Sequence, residues 1–316
     1  MVENPNNIIV PVLIIGFNRP EIIKQSFEYI RKARPEKLYV AIDGPRNGVA
    51  EDVDLINKVR SVVQNIDWQC EKYYKFNETN QGAEITVSSA ISWVLNNEKY
   101  VIILEDDIIA PWSFLKFAQE MLIRYEHEDQ IATVTGSNYT PVPVPENADY
   151  FFAKYGHSQG WATWKRAWDG FDLNTEIQET HQKKSFLRKY CNSSDEVRYY
   201  QRKFRAMRKK GIGNNTWDSV GLYRHRINGL LSIIPRVNLT SNIGVVGLHA
   251  RGITEHHFRP VDVDFIVKQH PQKVVCYTDF DKYHFNTYIN KKRPLAKRIK
   301  NKLMHFQKKI FKHGEY

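Results

Sequence analysis

Along the first 140 residues, short apolar runs alternate with segments whose apolar residues recur every three or four positions. Ile8 to Phe17 is the first such run, and a turn at Asn18-Arg19-Pro20 closes it before a helical pattern from Glu21 to about Lys32. Leu38 to Ile42 is a second short strand, stopped by Asp43-Gly44-Pro45; Val53, Ile56, Val59 and Val63 then mark a helix. Glu71 to Phe76 predicts a third strand, Asn77 to Gly82 its polar turn, and Ala83 to Leu95 the next helix. Tyr100-Val101-Ile102-Ile103-Leu104 is apolar at every position, the pattern of a strand buried on both faces. A helix over Phe114 to Tyr125 and a fifth strand over Ile131 to Val134 follow. Strand and helix in alternation with short connections predict an α/β fold, a doubly wound and mostly parallel sheet with helices on both faces.

Near Thr140 the pattern changes. Pro141-Val142-Pro143-Val144-Pro145 fits neither a helix nor a central strand and reads as an extended connector. Beyond it the chain is rich in aromatics, glycines and basic residues without clear alternation, and is expected to pack as an elaboration on the sheet's ligand edge. The expected divisions are 1–140 as the regular α/β half, 141–275 as the second half of the same domain, and 276–316 as a basic tail.

The chemistry starts where the fourth strand ends, in Glu105-Asp106-Asp107. Ionised carboxylates beside a buried strand are costly unless paired or bound to a cation, and the carboxyl ends of central strands are where open α/β sheets bind ligands. Oxygen donors suit Mg²⁺ or Mn²⁺, ions that commonly hold substrate phosphates as well. The plainer alternative is that Asp106 and Asp107 cap the helix starting near Pro111. Arg19 and Asp43 follow the first and second strands and belong on the same rim, where a cation and a carboxylate suit a nucleotide diphosphate; each also has an ordinary loop or turn role. No Gly-x-x-x-x-Gly-Lys loop and no Gly-x-Gly-x-x-Gly turn is present. That disfavours kinases, ATPases and nicotinamide enzymes and leaves phosphate binding to a metal and side chains.

With these residues the chain resembles the metal-dependent glycosyltransferases of GT-A type, and more narrowly the enzymes related to N-acetylglucosaminyltransferase I, whose acidic motif is also Glu-Asp-Asp. The likeness runs over roughly residues 8 to 250. It includes Pro11 to Arg19, Asp43, Gly160 to Trp168, Trp217-Asp218, Pro235-Arg236-Val237 and Gly247-Leu248-His249. The resemblance implies nucleotide contacts from Arg19 and Asp43, a direct metal bond from Asp107, and a site shaped by Glu105 and Asp106, which would also touch the ribose. It implies a general base in Asp218, although Ser219-Val220 follow where the eukaryotic relatives carry a second acid or another Trp, and the plainer alternative is that Asp218 caps the helix through Leu222 and Arg226.

Trp161, Trp164 and Trp168 are spaced as one face of a helix, a pattern that usually marks core. Sugar rings also stack on aromatic faces, so Trp161 and Trp217 are candidates for the acceptor and sugar pocket. His249 is open between a metal ligand, a phosphate donor and a structural histidine. Seven basic residues and no acid lie between Arg198 and Lys210, a solvated helix face or a surface for a phosphate-bearing acceptor.

Composition adds one strong feature. The net charge is +11, of which +9 falls between Lys291 and Tyr316. Leu295, Ile299, Leu303, Phe306 and Ile310 form a narrow apolar stripe within that basic segment, the pattern of an amphipathic helix on an anionic membrane surface; docking on the protein's own body or on a partner is the alternative. No nucleic-acid recognition motif accompanies the charge, and no nucleic-acid partner is expected. Three widely spaced cysteines, no signal-peptide pattern and no apolar stretch of membrane-spanning length suggest a cytoplasmic protein, peripheral on the inner face of the plasma membrane.

The expected activity is therefore an inverting transfer of a sugar from a nucleotide sugar, a uridine diphosphate sugar by expectation, to a glycan or lipid-linked glycan during polysaccharide biosynthesis. The rivals are a sugar-1-phosphate nucleotidyltransferase, for which Asn18-Arg19-Pro20 is a poor match to the expected Gly-rich loop, and a non-catalytic module that binds sugar nucleotides.

Overall fold

The computed structural model describes residues 7–140, 142–144, 147–245 and 257–290. One sheet of eight strands organises them. β1 (Val12–Gly16), β2 (Lys37–Ile42), β3 (Glu71–Phe76) and β4 (Tyr100–Glu105) are parallel, in the order β3-β2-β1-β4. α1 (Pro20–Ala33), α2 (Ala50–Gln64) and α3 (Ala83–Leu95) connect them. Pro20 opens α1 at a position where its missing N–H is harmless, and Arg34 closes the helix in a left-handed conformation with φ 49°. The predicted elements of the first half form as expected, with β4 buried on both faces as its sequence requires.

The second half differs from the expected elaboration by contributing strands to the same sheet. After the short β5 (Ile108–Ile109) and α4 (Trp112–Arg124) come β6 (Ile131–Thr135), β7 (Tyr150–Ala153) and β8 (Trp161–Trp164), and later β9 (Leu231–Pro235). They extend the sheet from β4 in the order β8-β6-β9-β7. β8 lies between β4 and β6 and is antiparallel to both, so β6 runs in the same sense as β4. β10 (Ser241–Asn242) pairs antiparallel with β5 beside the main sheet.

Trp161 and Trp164 therefore lie on a strand, not on the helix face expected from their spacing, and only Trp168 is helical, at the end of the single turn α5 (Lys165–Trp168). Side chains three apart on a strand point to opposite faces. Trp161 packs with α3, while Trp164 enters the core under α4, where its Nε1 donates to the Leu122 carbonyl at 2.9 Å. Aromatic residues fill buried strands as readily as helices, and the spacing alone does not separate the two.

Helices cover both faces. α1, α2 and α4 bury Phe27, Val59 and Phe114 against alternate residues of β1, β2 and β4, including Ile14, Val40 and Ile102. α3 covers the opposite face with Val87, Ile91 and Val94 over Leu13, Tyr39 and Val101. Beyond α3 on that side sits a second core built by α6 (Lys184–Leu187), α7 (Ser194–Lys210), α8 (Trp217–Asn228) and α9 (Thr278–His284) over β7 and β9. The basic residues of the Arg198–Lys210 run mostly face solvent, while Val197, Tyr200, Phe204 and Met207 bury the inner stripe of α7.

Residues 278–289, inside the segment expected as a tail, belong to this body. Phe280 and Phe285 are buried, and the N–H of Tyr277 bonds to the Phe152 carbonyl at 2.7 Å. The amphipathic stripe from Leu295 to Ile310 lies outside the described residues. Among the described residues, no helix is long and apolar enough to cross a membrane.

If residues up to 290 are part of the fold, Phe280→Ala should destabilise the protein by about 3–5 kcal/mol, the usual cost of emptying a buried phenylalanine site. Urea unfolding followed by circular dichroism measures this; a change below about 0.5 kcal/mol, the size of a typical surface substitution, would show that the segment is merely laid on the surface.

Candidate active site

Three strand ends meet on one rim because β2, β1 and β4 are parallel neighbours. Gly16 ends β1, and Asn18-Arg19 leads into α1; β4 ends at Glu105, and Asp106-Asp107 form the turn into β5. The arrangement brings Arg19 onto the acids. Its guanidinium is ion-paired with both oxygens of Asp106 and reaches Asp107 Oδ2 at 3.0 Å. Burial alone would lower the Arg19 pKa, but Asp106 and then Asp107 raise it on balance, so the guanidinium stays charged.

The three acids have different surroundings. Asp106 is buried, 4% exposed, beneath Arg19, and its backbone carbonyl accepts from Ser26 Oγ at 2.7 Å. Burial pushes its carboxyl up to about 6 despite the pull of Arg19. It holds Arg19 rather than presenting a free carboxylate to a ribose. Glu105 is half-buried on the α3 side of the sheet; desolvation, followed by the charges of Asp107 and Asp106, pushes its carboxyl up to about 8.

Asp107 is the most open of the acidic pair on Arg19, and a local ladder positions it. Asn242 Nδ2 donates to Asp107 Oδ1 at 3.2 Å, and the Ile243 N–H bonds to the Asp107 carbonyl at 2.9 Å. Gly244 lies flat against the carboxylate, and a Cβ there would come within 2.1 Å of Oδ2. Asn242 and Gly244 are site residues that sequence reasoning missed. Asn242 is 135 positions from Asp107, and only the β5–β10 pairing brings them together.

Asp43 is placed differently from its expected nucleotide contact. Its carboxylate is buried and accepts from the N–H groups of Gly44, Gln81 and Gly82 and from the amides of Asn77 and Asn80, all at 2.9–3.0 Å. Five donors occupy its lone pairs, so Asp43 holds the Asn77–Gly82 loop closed over the end of β2. Gly44 fits beneath that loop only without a side chain, since a Cβ would lie 2.5 Å from the Thr79 backbone.

On the α3 side of the sheet, Asp218 comes to the site in the first turn of α8. Glu84 of α3 accepts the Trp217 N–H at 2.6 Å and fixes the start of that helix. The Asp218 carboxylate is exposed, and its Oδ1 accepts from the Ser219 N–H at 2.8 Å, which leaves Oδ2 available. It adds to the charge acting on Glu105 and on Lys203 of α7, whose pKa burial lowers. Trp217 and Trp161 stack with centroids 5.9 Å apart and planes 14° from parallel. Both tryptophans and Asp218 line a cavity of about 340 Å³ between α8 and the sheet. His249, the remaining candidate, lies outside the described residues.

Among the described residues no three His, Cys, Asp or Glu side chains form a metal cage. A magnesium-type ion is usually held by one or two carboxylates together with substrate phosphates, and the Asp107 oxygens fit that mode. A cation already sits against Asp107 in the form of Arg19 Nη2, evidence that the position favours positive charge.

No protein-family model matches the chain, and no curated protein matches it. Solved structures do match. They include a mannosyltransferase, PcManGT from Pyrobaculum calidifontis, in complex with GDP-Man and Mn²⁺, at 11% identity and a TM-score of 0.36 over 69% of this chain and 68% of that one. HddC from Yersinia pseudotuberculosis matches at 9% identity and a TM-score of 0.31, over 50% of this chain and 78% of that one. A 4-diphosphocytidyl-2C-methyl-D-erythritol synthase from Anaerococcus prevotii matches at 10% identity and 0.31, over 50% and 71%. Likeness at this level carries no information on activity.

The Glu105 carboxyl gives a pH prediction with a definite sign. Its ordinary value is 4.5 and burial raises it to about 8, so the unfolded chain releases this proton first. The stabilisation is complete below pH 4.5 and is lost as pH rises towards 8. Glu105→Gln should therefore gain stability relative to the native protein between those limits, with the difference growing as pH rises. Denaturant unfolding at several pH values, with divalent cations chelated, measures it; a difference independent of pH would show that Glu105 is not held in this way.

Proposed function

We propose that this protein is an inverting, divalent-cation-dependent glycosyltransferase of GT-A type that uses a nucleotide sugar, a uridine diphosphate sugar by choice, and a glycan or lipid-linked glycan acceptor. The single observation that carries the reading is the placement of Asp218 on the same face of the sheet as Glu105, beside a tryptophan-walled cavity, with Arg19 and Asp107 at the adjoining strand ends.

Each group then has one task. The acceptor hydroxyl gives its proton to the free oxygen of Asp218 as its own oxygen bonds to the anomeric carbon of the donor sugar. The carbon–oxygen bond to the diphosphate breaks on the opposite face, and its electron pair leaves with the phosphate. Arg19 turns its guanidinium to that phosphate, a charge-assisted contact for which its planar donors are suited. Asp107 would hold Mn²⁺ or Mg²⁺, which when bound supplies positive charge to the diphosphate. Trp161 and Trp217 form the apolar wall for the sugar. His249 is left as a second metal ligand or a phosphate donor.

Two variants separate these roles. Asp107→Ala should abolish Mn²⁺-dependent nucleotide binding in calorimetry and transfer with it. Asp218→Asn keeps shape and loses basicity, so turnover should fall about 10²–10⁴-fold while donor affinity holds. Unchanged Mn²⁺-dependent binding in the first variant, near-normal turnover in the second, or a retained anomeric configuration in the product would each remove the corresponding step.

The basic segment from Lys291 to Tyr316 is proposed to hold the enzyme on an anionic membrane surface, at about 1 kcal/mol per cation near the membrane. Deleting residues 295–316 should release the protein from anionic vesicles and spare transfer to a soluble acceptor. Equal sedimentation of both forms with anionic vesicles would show that the attachment lies elsewhere.

A further inference from the structure

The cavity under α8 has more structure than a base and a wall require. Its floor is the face of the sheet, where Thr133, Thr163 and Ser232 present neighbouring hydroxyls; Thr133 and Thr163 are register partners, and Thr133 Oγ1 donates to Ser232 Oγ at 2.8 Å. Hydroxyls on the inner face of a sheet, under a helix, forgo the burial that apolar residues would gain there. One wall is aromatic. Trp161 is 6% exposed and stacks on Trp217, so their rings give the cavity an apolar wall.

The roof is α8, which turns Asp218, Gly221, Leu222 and His225 towards the cavity, the i, i+3, i+4, i+7 stripe of one helix face. On a face meant to pack, a glycine in the helix interior is a poor choice, because it weakens the helix by about 1 kcal/mol relative to alanine. Gly221 has no left-handed φ that would require it, and a Cβ added there meets nothing within 4 Å. Neither backbone geometry nor crowding accounts for it. What its hydrogen atom preserves is space. Four residues on, the His225 imidazole has no hydrogen-bond partner among the described residues. Burial and the charges of Arg224 and Arg226 hold its pKa down to about 4, so at neutral pH the ring both donates and accepts.

We propose that this cavity is a subsite for a pyranose unit of the acceptor, kept open by Gly221 and read by the His225 imidazole, with the tryptophan rings as its apolar wall. The chemistry is that of a sugar ring, which has C–H faces for the tryptophans and hydroxyls that both give and take hydrogen bonds. The acceptor assignment follows from direction. Thr163 pairs with Val101, four residues back along β4 from Glu105, so the floor recedes from the acidic cluster. Asp218 to His225 spans seven residues of helix, roughly 10 Å at 1.5 Å per residue. A donor held at Asp107 by its diphosphate leaves that length of cavity on the far side of the base, where the attacking group must enter. This assignment rests on the transferase reading above.

Gly221→Leu fills the space, Gly221→Ala enters it by one methyl group, and His225→Ala removes the polar partner. The probes are methyl glycosides of glucose, galactose, mannose, rhamnose and N-acetylglucosamine, titrated in the presence of Mn²⁺ and UDP and followed by tryptophan fluorescence. At least one should bind the native protein, and Gly221→Leu and His225→Ala should each weaken it about tenfold or more. Gly221→Ala should weaken it less while raising the melting temperature, since alanine is the better helix former. Mn²⁺-dependent UDP binding should be the same in all four proteins. Failure of UDP to bind the native protein would count against the transferase reading itself. With UDP bound, the absence of glycoside binding, or binding indifferent to both Gly221→Leu and His225→Ala, would overturn the subsite. If Gly221→Leu weakened a nucleotide sugar but not free UDP, the cavity would belong to the donor sugar and the acceptor assignment would fall.

Discussion

The structure depends on how negative charge is carried at the end of a strand buried on both faces. β4 is the central element, flanked by β1 and β8 and covered by helices on either side, and it delivers Glu105, Asp106 and Asp107 to the rim. Water cannot solvate Asp106 there, so the fold supplies Arg19 from the neighbouring strand end and the Ser26 hydroxyl on the adjacent backbone. Parallel pairing of β1 with β4 is what makes this possible, because it places both carboxyl ends side by side. The order of the sheet and the chemistry of its rim are one constraint.

A second element meets this rim from across the chain. α8 is tied to α3 by Glu84 at its first turn, and near its end by Arg226, which is buried against Glu196 at 3.2 Å and against Tyr200. A buried ion pair is costly to break from either side, so α8 is anchored at both ends rather than free to swing. The helix that carries Asp218 is thus positioned rigidly relative to the strand that carries Glu105. The Trp161–Trp217 stack links the sheet to the start of that helix.

Much of the first half was legible because its signals are local. An apolar run such as Tyr100–Leu104 specifies a central strand by itself, and the convergence of Arg19 with Asp106 and Asp107 follows once the strands are parallel. Elsewhere tertiary context decides. Asp43 carries the signature of a turn and also of a ligand, and only the position of the Asn77–Gly82 loop shows that its lone pairs are taken. The tryptophan spacing at 161–168 suits a helix as well as a strand followed by one turn. Asn242, Gly244 and Glu84 have no motif at all, because each acts on a partner more than 130 positions away. The insertion of β8 between β4 and β6 has no local signal either, since a four-residue antiparallel strand reads like any short aromatic run.

The charge balance at the rim also argues for why such a site would need a cation beyond its own arginine. Glu105 is driven towards its protonated form by burial and by its two neighbours, so little further negative charge is tolerated there. Arg19 already neutralises one carboxylate of the pair, and a diphosphate arriving beside Asp107 would add negative charge that a single guanidinium cannot balance. If Arg19 turned to the phosphate, Asp106 would be left buried and unpaired, a loss of several kcal/mol. On the transferase reading proposed above, Asp107 would hold a divalent ion whose positive charge would offset both the carboxylates that Arg19 leaves and the phosphates that arrive. The pairing of Arg19 with Asp106 and Asp107 would on that reading be the resting arrangement of the site, its charge completed with donor and metal together.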